Sequence, residues 1–300
     1  MPNDVAPIDQ KTVIGREFGN FVIVRELGRG SMGAVFIGFQ KSLKRQVAIK
    51  LLPKGAQTAE WGPRQFQDEA ETVAVLAHPN IVPIFEMGED DDYYYQAMQL
   101  IDGADLGRMI RNRMRHPVPS KRLLPPTVAV DLIMQVLEGL AYAHKHGVVH
   151  QDIKPANIMV DRADLRPMIV DFGIARTARN EYWAEGMVVG SALYLSPEQA
   201  AGRETDARTD LYAMGVVLFE TLAGRLPVRE EKDTQLLMRK MEEPDSLFLK
   251  SPSEASEGID DRLERIILKA TAPFREDRYA SADAMRAALQ QWRASVEAAA

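Results

Sequence analysis

What most constrains the fold of this chain is a change of period near residue 102. Before it, apolar residues alternate or run in β-branched stretches, FVIVREL, AVFIGF, QVAIKLL, IVPIFEM and YYYQAMQLI, each of strand length and composition. Between the third and fourth runs a helical pattern opens at Pro63, a residue suited to the first position of a helix. After Gly103 the period becomes that of helices: in TVAVDLIMQVLEGLAYAHKHG, Val128, Leu132, Val136 and Leu140 recur at turn spacing. Residues 209–222, 260–271 and 281–294 repeat the pattern. The expectation is an α+β chain in which a small antiparallel sheet unit precedes a larger helical one, with the crossover at Asp102-Gly103. A junction of this kind is a common place for a ligand.

With 300 residues, 46% of them apolar, the chain can bury a substantial core. No run approaches the roughly 18 consecutive apolar residues of a membrane-spanning helix, and MPNDVAPIDQKTVIGREFGN has neither the basic start nor the apolar centre of a signal peptide. The chain therefore reads as soluble and unsecreted. The absence of cysteine excludes disulfides and thiolate chemistry. A net charge of -6 gives no general attraction to nucleic acid or anionic membranes. One stretch runs against that balance: residues 108–122, RMIRNRMRHPVPSKR, hold six basic residues and no acid. It reads either as a solvated helix end or as a docking surface for an acidic partner.

Four motifs carry chemistry. In ELGRGSMGAVF, Gly28, Gly30 and Gly33 form G-x-G-x-x-G ahead of Val35, and glycines let a backbone approach a phosphate closely. A dinucleotide fold uses the same string, but it needs a helix to open at the glycines, whereas AVFIGF alternates like a strand. The motif is read as a glycine hairpin. Lys50 closes VAIK seventeen residues after Gly33 and shares a strand face with Ala48. Glu69 falls on an apolar helical stripe with Phe66, Ala70, Val73 and Leu76, where a carboxylate is costly unless paired, and Lys50 is the obvious partner. HGVVHQDIKPANIM and IVDFGIAR place Asp152, Lys154, Asn157 and Asp171 in order, supplying hard oxygen ligands, a proton acceptor and a cation.

Together with LSPEQ and DARTDLYAMGVVLFETLAGRLP, these motifs resemble the protein kinases across residues 18–292, most closely the bacterial eukaryotic-like (Hanks-type) serine/threonine protein kinases. The resemblance implies a two-lobed fold: a tail over 1–17, an ATP-binding lobe over 18–102, a catalytic lobe over 103–293 and a tail over 294–300. It implies that Lys50 holds the ATP phosphates and pairs with Glu69, that Asp171 and Asn157 bind magnesium, for which manganese can substitute, and that Asp152 accepts the proton of the substrate hydroxyl while Lys154 steadies the phosphoryl group. Adenine is then expected between Leu27, Val35 and Ala48 on one side and Met159 on the other, with Met98 behind it and the backbone of Gln99 to Ile101 facing the base. Asp105 matches a ribose contact, the glycines Gly28, Gly30 and Gly33 cover the phosphates, Glu198 is expected to pair with Arg278, and Asp210 to brace the catalytic loop. Protein substrates bearing serine or threonine are implied, in a cytoplasmic setting that includes the cytoplasmic part of a larger anchored protein.

Three departures stand out. Ala156 occupies a position held by an acid in many relatives that prefer basic substrates, Ser191 replaces threonine, and Gln151 replaces the arginine of HRD. Because glutamine is uncharged, and the hydroxyls of residues 174–190 are only Thr177 and Tyr182, the expectation is activity without phosphorylation of that segment, with control by a partner, an attached domain or dimerisation through the first lobe. The rival readings are a pseudokinase serving as a scaffold and a kinase of small molecules. The presence of Lys50, Asp152, Asn157 and Asp171 speaks against the first, and the segment around SPE against the second.

Overall fold

The computed structural model describes residues 8–30, 33–54, 76–172, 192–228, 233–242, 248 and 250–299. They divide into two compact units, residues 1–78 with 82–102 and residues 79–81 with 103–300.

The first unit is a six-stranded antiparallel sheet. Strands β1 (Glu17–Phe18), β2 (Phe21–Arg29), β3 (Ala34–Gln40), β4 (Arg45–Pro53), β5 (Ile84–Glu89) and β6 (Tyr93–Gln99) run in the order β1-β2-β3-β4-β6-β5. In β4, Val47, Ile49 and Leu51 are fully buried on one face, as the two-residue period of a strand requires. They pack with Phe18, Phe21, Ile23, Phe36 and Tyr95. A short helix, α1 (Gln10–Val13), is capped by the Asp9 carboxylate, which accepts the Lys11 N–H, and it inserts Val13 into the same core, as Ile8 does just before it. The sequence marks neither residue as core, because one turn of helix is too short to show a period. The run IVPIFEM forms a strand only from Ile84, since Pro83 has no N–H to give to a ladder. The helical pattern that opens at Pro63, Glu69 included, lies outside the described residues as far as residue 75.

The second unit is mainly helical, with a small sheet of β7 (Gly103–Asp105), β8 (Ile158–Asp161) and β9 (Pro167–Ile169). Its described helices are α2 (Leu106–Met114), α3 (Pro126–Lys145), α4 (Pro197–Ala200), α5 (Ala207–Ala223), α6 (Asp233–Glu242), α7 (Pro252–Ala255), α8 (Asp261–Ala270) and α9 (Ala282–Glu297). Helix α5 is the axis: Leu211, Met214, Val216, Val217 and Leu218 are all fully buried, the pattern of a helix enclosed on every side. Gly224, with φ of 66°, ends it in the left-handed conformation. Residues Pro119–Lys145 have the length and mean hydropathy (1.4) of a bilayer span. However, Val130, Ile133, Val136, Leu137 and Leu140 within them are buried, and α3 packs on α9 and α5, which is how the core helix of a globular unit behaves.

Candidate active site

The glycine hairpin joins β2 to β3, with Gly28 opposite Val35 and Lys50 opposite Val35 on the next strand. The three glycines differ in why they are glycine. A Cβ at Gly33 would run into the backbone carbonyl of Leu51, so the sheet itself demands that residue. Gly28 has nothing within 4 Å of a Cβ position and Gly30 only the Gly33 carbonyl at 3.9 Å; these two leave open space for an approaching group. Ala48 and Met98 are register partners on β4 and β6 and both are buried. Leu27 is 45% exposed, whereas Val35, Lys50, Gln99 and Ile101 are half-buried. The Gln99 N–H is taken by the Pro83 carbonyl at 3.0 Å, so a base contact from this residue falls to its carbonyl.

In the second unit, the loop from His150 to Asn157 gathers the charged groups. Lys154 Nζ donates to Asp152 Oδ2 at 2.9 Å, and Asn157 Nδ2 donates to the Asp152 carbonyl at 2.8 Å and to Oδ2 at 3.1 Å. The Asp152 carboxylate is therefore gripped on one oxygen by a cation and an amide. The Val170 N–H donates to the Asn157 carbonyl at 3.0 Å, which sets Asp171 beside Asn157. Asp171 itself has φ of 56°, a left-handed conformation rare for a non-glycine residue and common at functional sites. Met159, half-buried on β8, is paired with Asp105 on β7. Asp105 caps α2 by accepting the Arg108 N–H at 2.7 Å.

Asp210, fully buried on α5, holds the loop from below. Its Oδ2 accepts the His150 N–H at 2.9 Å and lies 2.8 Å from His144 Nε2, while Oδ1 accepts the Gln151 N–H at 2.8 Å. Gln151 has φ of 63°, so these bonds and one more fix a strained residue. The other comes from Gln199, whose Nε2 donates to the Gln151 carbonyl at 2.8 Å. Gln199 also closes a capping box with Ser196 at the start of α4. Its S-x-x-Q spacing was visible in LSPEQ; its reach to residue 151 was not. Burial pushes the His150 imidazole below its usual value, against the pull of Asp210 and Asp152. The neutral ring fits its partners: Nε2 lies 3.1 Å from the Val170 carbonyl and can donate to it, while Nδ1 accepts the Asp152 N–H at 3.2 Å.

Asn157 and Asp171 offer hard oxygen donors of the kind a divalent cation takes. No group of three His, Cys, Asp or Glu side chains suited to a metal occurs among the described residues. Magnesium does not need one, since it takes one or two protein oxygens and completes its shell with phosphate and water. With its Nδ2 committed to Asp152, the Asn157 amide keeps its oxygen as an acceptor, the kind of hard donor such an ion takes. The residues fit the ion.

The scaffold around the site buries charged groups together with their partners. Arg278, with no exposed side-chain surface, meets Glu198 at 2.7 Å, and Glu198 also accepts the Thr209 hydroxyl at 2.9 Å. Burial would raise the Glu198 carboxyl, but Arg278 outweighs it and the net shift is downward. A buried lysine was not foreseen: Lys240 on α6, 3% exposed, donates to the carbonyls of Leu193 at 2.8 Å and Leu195 at 2.6 Å. Burial pushes its ammonium down to about 7, Arg278 adding to this and Glu198 opposing it. An unfolded lysine keeps its proton to about pH 10, so the unfolded chain binds more protons between those limits and stability rises with pH there. Urea titrations are expected to show a gain on the order of 2 kcal/mol from about pH 6 to about pH 9 in the native protein that Lys240→Met lacks. Equal pH slopes in the two proteins would contradict the assignment. Ser191 and the segment with Thr177 and Tyr182 lie outside the described residues.

Residues 21–290 match the family described as protein kinase domain. Among curated proteins, the chain is 37% identical over 287 residues to the serine/threonine-protein kinase Pkn1 of Myxococcus xanthus, covering 94% of this chain and 39% of that protein. It is 35% identical over 281 residues to the serine/threonine-protein kinase PrkC of Bacillus subtilis, covering 93% and 41%. The chain thus spans about two fifths of the length of these relatives. Among solved structures, the PknI kinase domain of Mycobacterium tuberculosis aligns with a TM-score of 0.73 at 28% identity, over 93% of this chain and 98% of that one.

Proposed function

We propose, from the premise that this chain belongs to the protein kinase family, that it transfers the γ-phosphoryl group of ATP to serine or threonine hydroxyls of proteins. The observation that carries this reading is the grip of Lys154 and Asn157 on one oxygen of Asp152. It aims the carboxylate as a proton acceptor for a hydroxyl, while Lys154 keeps a positive charge beside the place where phosphate charge develops. Lys50, on the strand facing the glycine hairpin, would clamp the phosphates, with Glu69 as its partner, and Gly28 and Gly30 leave room above them. Asn157 and Asp171 would hold magnesium, or manganese in its place. When bound, such an ion supplies neutralisation of phosphate charge and orientation of the transferring group. Adenine would contact Leu27, Val35, Ala48, Met98, Ile101 and Met159, with Asp105 near the ribose. A cytoplasmic setting follows from the need for ATP. Phosphoamino-acid analysis of a generic protein incubated with labelled ATP tests the reading: phosphoserine and phosphothreonine are expected, and phosphotyrosine alone would overturn the acceptor class.

Gln151 has its N–H on Asp210 and its carbonyl on Gln199, so the loop backbone is held by neutral and anionic groups of the fold without a phosphate. An arginine here would add a cation that calls for one. Phosphorylation of residues 174–190 is then not required, and regulation falls to a partner, an attached domain or dimerisation through the first unit. After phosphatase treatment and proof of zero phosphate by intact mass, Thr177→Ala/Tyr182→Phe is expected to match the initial rate of the parent protein within about threefold. A lag that autophosphorylation abolishes, or a loss above about tenfold, ~1.4 kcal/mol of barrier, would refute this.

A further inference from the structure

We propose that the basic face of α2 and the turn after it is a docking surface for an acidic stretch of the protein substrate, so that serine or threonine flanked by Asp or Glu is preferred. The inference rests on the kinase reading and names the substrate class of that site.

From Leu106 to Val130 there is no acid, although the chain as a whole carries -6. Arg108, Arg111, Arg115, Lys121 and Arg122 are exposed. Two of the six cations serve the fold: Arg113 donates to the Leu123 carbonyl at 3.2 Å and Arg122 to the His116 carbonyl at 3.0 Å, and together they shape the turn. The side chains of Arg108, Arg115 and Lys121 have no hydrogen-bond or ion-pair partner among the described residues. Arg108 and Arg111, and Arg111 and Arg115, stand three and four apart on one helix face, a spacing at which like charges destabilise a helix. Among the described residues Asp105, 3.8 Å away, and the half-buried Glu220 offset Arg111 alone, so an external anion is the group that would compensate Arg108 and Arg115.

The position of this face bears on the acceptor. Helix α2 starts against the catalytic loop: a Cβ at Gly107 would lie 3.3 Å from the Pro155 Cβ, and Pro155 follows Lys154. Nearby acids that could recruit a basic substrate are occupied. Asp105 Oδ1 accepts the Arg108 N–H and lies 3.8 Å from Arg111. Glu220 accepts the Tyr194 hydroxyl at 2.6 Å; burial raises its carboxyl, the Tyr194 bond opposes this, and Arg111 is the remaining charge that acts on it. Ala156, next to Pro155, carries no charge. Among the described residues, the charges of this face left without a partner are those of Arg108, Arg115 and Lys121, all positive, and complementary charge fixes specificity and register more than raw affinity. An acidic peptide segment fits such an array. Nucleic acid fits less well, since the protein as a whole would repel it.

The test is kcat/KM for a set of peptides with one serine and flanks rich in Glu on the N-side, rich in Glu on the C-side, neutral, or rich in Lys. At least one acidic peptide is expected to exceed the neutral one by about tenfold and the Lys peptide to fall below it. The preference should shrink as salt rises from about 50 to about 300 mM, because exposed charges are screened. In the triple variant Arg108→Glu/Arg115→Glu/Lys121→Glu the acidic-to-neutral ratio should drop about tenfold. The salt series on the native protein reads the same charges without any substitution. Equal rates on all peptides, a preference insensitive to salt, or one that survives in a folded triple variant overturns the proposal while leaving the kinase reading in place. Absence of transfer to every peptide and to a generic protein overturns both.

Discussion

Asp152→Asn is expected to slow phosphoryl transfer by about a thousandfold, within the range for loss of a positioned general base, with ATP affinity changed by less than about threefold. The reason lies in what surrounds the carboxylate. Oδ2 receives two donors, Lys154 Nζ and Asn157 Nδ2, at 2.9 and 3.1 Å. An asparagine can satisfy them only by turning its oxygen toward them, which presents its NH2 group to the substrate hydroxyl and leaves nothing to accept the proton. Turned the other way, it sets donor against donor. The loop backbone does not depend on this side chain, since Asp210 and Gln199 hold Gln151 and His150 independently. The loss should therefore appear in kcat, with the thermal unfolding curve close to that of the native protein. Initial rates at saturating ATP with a protein acceptor check this, and a rate within about tenfold of the native one would remove Asp152 from its role.

The second large effect is on stability. Arg278→Met is expected to cost about 3–5 kcal/mol, the usual result of breaking a buried ion pair from one side, and to lower the unfolding midpoint by roughly 10 °C. All five guanidinium donors are in use: Nη1 and Nη2 on the two Glu198 oxygens at 2.7 and 2.8 Å, and the rest on the carbonyls of Ala272, Pro273 and Arg208. Methionine fills a similar volume but strands the Glu198 charge and three carbonyls. Arg278→Lys should recover little, because a single ammonium cannot reproduce a planar fork. Urea unfolding of both variants measures the cost, and a loss below about 1 kcal/mol in Arg278→Met, the value of an exposed pair, would contradict it.

Much of this was legible in the sequence because the signals for it are local. Alternation in QVAIKLL gave β4 its buried face, turn spacing gave α3 and α9, and the ordered run from Asp152 to Asn157 gave the polar loop before any coordinate. The Glu198–Arg278 pair and the Asp210 brace were read through the family resemblance, and the geometry of both agrees. What escaped depends on contacts between residues far apart in the chain. His144 meets Asp210 across 66 positions and Gln199 meets Gln151 across 48, and no periodicity carries such information. Lys240 is an intermediate case. It follows Leu236 by four and Leu237 by three, and so lies on the apolar stripe of α6. The stripe argument that applies to Glu69 applies equally to this lysine.

The most direct test of the central claim is a single-turnover measurement of labelled γ-phosphate moving from ATP to a protein acceptor, made side by side on the native protein, Lys50→Met, Asp152→Asn and Asp171→Ala, with ATP binding measured by calorimetry on each. Transfer by the native protein is expected, with a loss of at least about a hundredfold in every variant, or more than ~2.7 kcal/mol of barrier, and with Asp152→Asn still binding ATP. A native protein that binds ATP without transferring it, or an Asp152→Asn variant that transfers at close to the native rate, would contradict it.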